Sequence, residues 1–333
     1  MLYLFLMEQN IKKQIIWSLG VFALVFLWTN VFWDYSGEVV KKISGTQMAT
    51  VAEVVKESPS KAKETPLPLP LPTIKLAFVG DIMLDRGVKY SVNKNFGGDY
   101  SELFTKVKTE LQGYDLLFGN LEGPVSDKGV DGGSIYSFRM EPVVLSVLKD
   151  AGFDGFSLDN NHILNYGVEA MEDTKIRLSK ENFTISGESI NLGSVKIIIL
   201  TFDQFAGIDL EVMKEKILTA KLLNDLVITY FHFGDEYIPG PNEYQKTTAK
   251  LAIDAGADLV VGAHPHVIQT LEQYKNKYIM YSLGNFIFDQ NFSVETMEGG
   301  LLEVEVNPNT KLIEKITLKK VILNKYFQIE SII

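Results

Sequence analysis

The chain has 333 residues, no cysteine and a formal net charge of −10. The lack of cysteine excludes disulfide frameworks and cysteine nucleophiles, and the acidic balance argues against nucleic acid as a partner, because phosphate backbones need a basic surface. Hydrophobic residues make up 46% and charged residues 22% of the chain, which is typical of a globular protein of one large or two smaller domains.

The N-terminal segment Ile15–Trp33 is uncharged and long enough to cross a bilayer as a helix. It contains every tryptophan of the chain, and tryptophan is enriched at membrane interfaces. A cleaved signal peptide is the alternative, but the apolar region is too long and no small-residue cleavage site follows cleanly. Residues 1–34 are therefore predicted to be a cytoplasmic N-terminus and a single-pass anchor in the cell membrane, with the rest of the chain on the extracytoplasmic side.

Residues 35–72 are polar and then proline-rich, ending in the alternating stretch Thr65–Pro72. Alternating prolines favour polyproline II, which would make a semi-rigid spacer. An ordinary disordered linker is the alternative. In either case a folded domain is predicted over residues 73–333.

The pattern of this domain alternates between strands and helices and ends in hairpins. Strands are predicted at Ile74–Val79, Asp115–Phe118, Gly155–Leu158, Phe183–Ser186, Val195–Phe202, Leu226–Phe231 and Ala257–Val261. Helices are predicted at Tyr100–Leu111, Pro142–Ala151, Val168–Lys180, Leu210–Ala220 and Glu243–Ala255. Hairpin strands are predicted at Gln269–Gln273, Tyr278–Ser282, Leu301–Val306 and Lys311–Leu318. This order predicts a mixed, layered α/β fold in which the C-terminal strands form a second sheet packed on the first.

Polar side chains suited to metal binding follow five of these strands. They are Asp81, Asn120 with Glu122, Asn161 with His162, His232, and His264 with His266. All four histidines of the chain are in this set. Because ligands of open α/β sheets bind beyond the carboxyl ends of the strands, the set would suit two divalent metals with a carboxylate bridging them.

Each of these residues alone also has a purely structural explanation. Asp81 and Asn120 would serve as turn residues, the pair Asn161 and His162 as a helix start, and His232 as a hydrogen-bonded core residue. Independent structural roles would scatter the histidines, so their common position favours the metal site.

Six motifs in this region resemble the bacterial capsule-synthesis proteins of the CapA/PgsA type. The motifs are Gly80–Leu84, Asn120–Gly123, Asn160–Leu164, His232–Tyr237, Gly262–His266 and Ser282–Phe288. The resemblance extends from about Ile74 to Val306. It implies a role in poly-γ-glutamate synthesis or export, and a layered α/β/β/α sandwich like that of calcineurin-like metallophosphoesterases.

The same resemblance implies a set of ligands for two divalent ions, which we expect to be Mn, Fe or Zn. The ligands would be Asp81, Glu122, Asn161, His232, His264 and His266, with Glu122 as the bridge. Asn120 and His162 would lie next to the metals, and His162 or His266 would transfer protons.

Some positions depart from the metallophosphoesterase pattern. Met83 stands where a metal-binding histidine is usual, and Glu122 stands in place of aspartate. Asp159 and Asn165, beside the Asn-Asn-His motif, also differ from the expected residues. These departures leave a metal site in place but call ordinary phosphoesterase activity into question.

Two of the three arginines, Arg86 and Arg139, lie in or near the strand-end loops, and a guanidinium suits a carboxylate or a phosphate. Both are therefore candidate substrate-binding residues. Tyr237, Tyr244 and Asn285 either line the cleft or pack structurally.

Two functions stay open at this point. The first is a metal-dependent hydrolase or transferase that acts outside the membrane on an anionic polymer or a phosphate ester. The second is a non-catalytic accessory subunit of a membrane polymer synthase or exporter, with a vestigial or structural metal site.

Overall fold

The structure, a computed structural model, describes residues 72–333. The strands of this region are β1 Ile74–Ile82, β2 Leu116–Leu121, β3 Gly155–Ser157, β4 Thr184–Ile185, β5 Ser189–Leu192, β6 Val195–Asp203, β7 Leu226–His232, β8 Leu259–Ala263, β9 Leu271–Tyr274, β10 Lys277–Met280, β11 Asn285–Ile287, β12 Glu298–Asn307, β13 Leu312–Leu323 and β14 Ile329–Ile332. The helices are α1 Arg86–Asn95, α2 Lys108–Leu111, α3 Val144–Ala151, α4 Gly167–Lys180, α5 Leu210–Leu223 and α6 Glu243–Asp254, with 3₁₀ turns at Tyr100–Leu103 and Glu295–Met297.

These strands form two sheets with parallel centres. The first has the order β14-β13-β12-β1-β2-β3-β4, and β11 pairs in parallel with the end of β1. The second has the order β5-β6-β7-β8-β10-β9. Strands β1 to β4 run parallel to one another, as do β6, β7, β8 and β10. Each sheet therefore collects the carboxyl ends of several strands along one edge.

Three hydrophobic clusters show how the layers pack. The middle cluster joins the facing sides of the two sheets, with Phe78 and Phe118 from the first and Tyr230 and Val261 from the second. A second cluster packs α1 to α4 on the outer face of the first sheet. A third packs α5 and α6 on the outer face of the second sheet. The described residues thus form an α/β sandwich of two sheets covered by helices, as the sequence predicted.

Three predictions about individual elements were wrong. The C-terminal strands do not make the second sheet by themselves, because β12, β13 and β14 extend the first sheet through antiparallel pairing of β12 with β1. The predicted helix Tyr100–Leu111 is a 3₁₀ turn followed by the short α2. The sequence pattern predicts no element over residues 86–95, where the structure has helix α1, because only Val88, Ser91 and Val92 of its ten residues are buried.

The predicted anchor and linker lie outside the described residues, so their boundaries stay predictions. Within residues 72–333, every helix is too short or too polar to cross a bilayer.

Candidate metal centre

The carboxyl edges of the two sheets meet at the predicted site. Asp81 lies near the end of β1, and Glu122 follows β2 directly. His232 is the last residue of β7, and His264 follows β8. The backbone N–H of His264 donates to Asp81 Oδ2 at 3.2 Å, which joins the two edges. A side chain at Gly80 would not fit here, because a Cβ atom would lie 1.9 Å from the carbonyl oxygen of Gly284.

Three side chains form the centre of this group. Asp81, Glu122 and His232 are fully buried, and each offers one ligand atom within 4.8 Å of the other two. The Asn120 amide donates to Asp81 Oδ1 at 2.8 Å and to Glu122 Oε2 at 3.3 Å. Glu122 Oε1 has no hydrogen-bond partner among the described residues. A buried carboxylate oxygen is costly unless it is paired or coordinates a cation, so this donor set fits a metal ion.

The two carboxylates differ in their electrostatic surroundings. Burial, followed by the negative charge of Asp81, raises the pKa of Glu122 well above its usual range. Burial alone would also raise the pKa of Asp81, but the hydrogen bonds to His266 and Asn120 outweigh it and hold that pKa well below its usual range. A cation between them would satisfy the charge of Asp81 and displace the proton of Glu122.

A second group of side chains closes the side of the site that belongs to the second sheet. His232 Nε2 lies 2.9 Å from Asn161 Oδ1 and 3.2 Å from His264 Nδ1. Burial, followed by the charge of His264, lowers the pKa of His232 well below its usual range. Burial and His266 lower the pKa of His264 to about 3. Both imidazoles are therefore neutral near pH 7, which is the form that binds metals.

The hydrogen bonds of His266 fix the tautomer of its ring. Asn285 donates through its amide nitrogen to the carbonyl of Thr296 at 2.9 Å, which leaves Asn285 Oδ1 as an acceptor 3.0 Å from His266 Nδ1. Asp81 Oδ2 accepts at the same nitrogen, at 3.2 Å. In the neutral form of the ring the proton would therefore sit on Nδ1, and Nε2, which lies 3.7 Å from Glu122 Oε1, would carry the lone pair. Ligand histidines commonly donate their second N–H in this way.

The same reasoning applies to His162. The backbone N–H of Phe138 donates to Asn165 Oδ1 at 2.9 Å, so this oxygen accepts from His162 Nδ1 at 3.0 Å. His162 Nε2 then carries the lone pair and lies 3.7 Å from Glu122 Oε1. Burial lowers the pKa of His162 below its usual range, although the bond to Asn165 opposes the shift. This neutral nitrogen is suited to accept a proton at the edge of the site.

The segment that leaves β8 holds His264 and His266 in an uncommon backbone conformation. His264 has a φ of 97° and His266 a φ of 57°. Residues other than glycine rarely adopt positive φ, and such backbone conformations are concentrated at functional sites.

The site opens into a cleft of about 750 Å³. Its lining residues include Arg86, Asn161, His162, Tyr237 and His266. Thus Arg86 shares the cleft with the predicted site.

The other candidate substrate-binding residues lie in different places. Arg139 lines a separate neighbouring pocket and stacks on Tyr166, with its guanidinium carbon 4.2 Å from the ring centroid. Tyr244 is not among the residues that line the cleft, whereas Asn285 contacts His266 directly. The anion-binding role of Arg139 stays a prediction.

The structure adds residues that sequence reasoning did not assign to the site. Asn160 donates to Asn120 Oδ1 at 3.0 Å and accepts from the His162 N–H at 3.1 Å, so it links the two motifs. Its place in the Asn-Asn-His motif was a usable signal. Phe205, whose ring lies 4.3 Å from that of His264, gave none, because it belongs to an unremarkable loop after β6.

Comparison with known proteins identifies the family. The family described as "Bacterial capsule synthesis protein PGA_cap" matches residues 75–204 and 194–290. The chain is 33% identical to the "PGA biosynthesis protein CapA" of Bacillus subtilis strain 168 over 71% of this chain and 68% of that protein. It is 34% identical to the "Capsule biosynthesis protein CapA" of Bacillus anthracis over 74% of this chain and 67% of that protein.

Among solved structures, a novel phosphatase from Mycoplasma pneumoniae aligns with a TM-score of 0.48 and 17% sequence identity, over 75% of this chain and 94% of the other. The sequence matches are the ones that decide the family, because they cover most of the folded region with its strand-end motifs. This chain belongs to the CapA-type family of bacterial capsule synthesis proteins.

Proposed function

We propose that this chain is a metal-dependent hydrolase or transferase that acts on an anionic polymer or a phosphate ester during capsule synthesis. The observation that carries the proposal is the buried group of Asp81, Glu122 and His232, in which Glu122 Oε1 has no partner among the described residues. A buried, unpaired carboxylate oxygen among neutral imidazoles is the arrangement expected of a cation site.

Two divalent ions, Mn, Fe or Zn, would share the six residues named from the sequence. Asp81, Glu122 and His232 would hold the first ion. Asn161, His264 and His266 would hold the second ion. Mixed oxygen and nitrogen ligands favour these transition metals over calcium, which prefers oxygen alone.

When bound, such ions supply charge stabilisation for a polarised phosphoryl or carbonyl oxygen. The protein residues supply orientation and proton transfer. Asn120 fixes the Asp81 and Glu122 carboxylates through one amide group. His162, held by Asn165, presents an unprotonated Nε2 to the cleft and would exchange a proton with substrate or leaving group.

The names of the relatives in Bacillus support capsule polymer as the substrate, with poly-γ-glutamate as the first polymer to test. The segment Ile15–Trp33 would anchor the chain in the cell membrane, with the domain on the extracytoplasmic side near polymer-synthase subunits. Protease treatment of intact cells should then remove the domain and leave a small membrane fragment. A soluble product beginning beyond Trp33 would refute the anchor.

An accessory, non-catalytic role is the second candidate, and one observation favours it. Met83, at the position where metallophosphoesterases carry a histidine, is fully buried, and its sulfur accepts from the N–H of Asp85 at 3.2 Å. It therefore belongs to the core rather than to the site, and one ion would lack an imidazole.

Polymer output from mutant strains separates the two candidates. Glu122→Gln keeps the side-chain shape and removes the charge that would hold two cations, so a catalyst should lose polymer production while the protein stays in the membrane. Glu236→Gln is the matched control, because Glu236 lines the same cleft but is exposed. Normal polymer output from the Glu122→Gln strain, with loss on deletion of the whole gene, would establish the accessory role.

A further inference from the structure

Arg86 is the only permanently cationic residue among the described residues that line the cleft. Its guanidinium carbon lies 5.1 Å from the centroid of the Phe138 ring. Another neighbour of that ring is His162, stacked at 4.1 Å between centroids. The guanidinium and the His162 imidazole therefore both lie against the same aromatic ring of the cleft wall.

The position of Arg86 is fixed by Asp289, a residue that no sequence motif singled out. Arg86 Nε forms an ion pair with Asp289 Oδ2 at 3.1 Å, and the same oxygen accepts from the N–H of Gly87 at 2.9 Å. The Asp289 side chain is 6% exposed and that of Arg86 is 36% exposed. At Gly87, a Cβ atom would lie 2.8 Å from Asp289 Cβ, so only glycine lets the carboxylate come this close. The buried Asp289 carboxylate therefore holds the half-exposed Arg86 guanidinium in place.

This geometry leaves the two Nη atoms of the guanidinium available to a ligand. Asp289 engages Nε, and neither Nη atom of Arg86 has a hydrogen bond within residues 72–333. Arg177 is different, because its Nε and Nη2 are both bonded to carboxylates at 2.7 Å. Two free, coplanar N–H groups match the two oxygens of a carboxylate or phosphate.

The negative charge of the rest of the molecule opposes the binding of an anionic substrate. The chain has a net charge of −10, and Glu236 lines the same cleft. An acidic chain that approaches this surface is repelled unless a local cation offsets the field.

We propose that Asp289 positions Arg86 as a subsite that binds an anionic group, carboxylate or phosphate, next to the reacting bond of the substrate. The inference rests on the proposed function for the identity of the reaction, but the subsite itself is a statement about binding. Arg86 contacts the ligand, and Asp289 acts through Arg86.

Binding of short anionic chains to the full-length protein in detergent, measured by calorimetry, tests the subsite. The probes are a γ-linked glutamate pentamer, a glycerol phosphate trimer, and the same pentamer with its carboxylates converted to carboxamides. Arg86→Gln should weaken at least one charged probe by about 10-fold or more, as expected for a lost charge-assisted pair, and leave the neutral pentamer unchanged. The charged probe that responds identifies the anion as carboxylate or phosphate.

Lys180→Gln is the matched control, since it removes one positive charge from an exposed position at the end of α4, outside the cleft, and it should bind every probe as the wild type does. Arg86→Lys keeps the charge but loses the fork, so its affinity should fall between those of the wild type and Arg86→Gln. Charged probes that bind Arg86→Gln as tightly as the wild type would overturn the proposal.

Asp289→Asn tests the positioning role, because asparagine still offers an oxygen to the Gly87 N–H while the charge on Arg86 Nε is no longer paired. Affinity for the responsive probe should fall about 3-fold or more, and the Arg86→Gln/Asp289→Asn double variant should bind no more weakly than Arg86→Gln alone. Tighter binding by Asp289→Asn, or additive losses in the double variant, would refute this role.

The binding assay also separates this inference from the proposed function. A protein that shows Arg86-dependent binding but no turnover would support the subsite and refute only the catalytic proposal. Turnover that is insensitive to Arg86, together with unchanged binding, would refute the subsite and leave the catalytic proposal in place.

Discussion

Substitution of Glu122 by glutamine should uncouple protein stability from metal binding. Glu122 is fully buried, lies beside the Asp81 carboxylate and has an oxygen without a hydrogen-bond partner in the described part of the chain. In the absence of metal this carboxyl opposes folding, because it must either keep a proton or leave a charge unpaired. Glutamine removes that penalty together with the charge that a cation needs.

The expected magnitudes follow from these two effects. Without metal, we expect Glu122→Gln to be as stable as the wild type or more stable, with a free-energy difference of about 1 kcal/mol. With metal at about 100 times its dissociation constant, the wild type should gain about 2.7 kcal/mol. For a domain of this size that gain raises Tm by about 5–10 °C. The variant should gain almost nothing.

Thermal unfolding of the full-length protein in detergent, with EDTA and with added Mn²⁺, measures both effects. Glu236→Gln should keep most of the metal-dependent rise in Tm. The reasoning is wrong if Mn²⁺ stabilises Glu122→Gln as much as the wild type, or if the EDTA-treated variant unfolds far below the wild type.

Three further predictions concern protons, turnover and packing. Because the pKa of Glu122 is raised, metal binding must release the proton of this carboxyl group. Apparent metal affinity should therefore rise with pH up to that raised pKa, by as much as about 10-fold per pH unit. Calorimetry in buffers of different ionisation enthalpy measures the proton release, which Glu122→Gln should lack. His162→Ala should keep the metal and lower kcat by about 10²–10⁴-fold, with a smaller loss for Asn165→Ala, and equal metal loss in both variants would contradict the assignment. Gly80→Ala should destabilise the fold by more than about 4 kcal/mol, because the added Cβ would lie 1.9 Å from a carbonyl oxygen. At Gly240 no heavy atom lies within 4 Å of the position of an added Cβ, so Gly240→Ala should unfold with the denaturant midpoint of the wild type.

Local patterns predicted the buried strands well, because runs such as Val195–Phe202 need no long-range information to be recognised. Local patterns failed where the structure depends on which distant strand a segment pairs with. The antiparallel pairing of β12 with β1 joins residues more than 200 positions apart, as in the pair of Ile74 and Val306. No periodicity specifies which sheet a hairpin will extend. The sequence therefore did not indicate which sheet the C-terminal strands join.

In the site, too, local patterns identified some residues and missed those that act through distant contacts. The ligand candidates were visible because all four histidines of the chain lie at or after strand ends, together with carboxylates and amides. The residues that orient them were less visible: Asn165 was noted only as a departure from a motif. Asp289 acts through a contact with Arg86, 203 positions earlier in the chain, and no local pattern encodes such a contact. Arg86 and Arg139 gave the same signal in the sequence, and only the fold separates their pockets.

The joining of Asp81 to the His264 backbone across 183 residues has a consequence for how the protein matures. Neither half of the chain holds a usable coordination set, since the carboxylates come from the first sheet and three of the imidazoles from the second. Capture of the proposed metal would therefore follow the closure of a very long loop, which is among the slower events of folding. Metal content would then serve as a chemical marker of finished molecules: a chain that has formed only one sheet, or a truncated chain, would carry no high-affinity ion. Occupancy in the cell would report the fraction of chains that completed the sandwich.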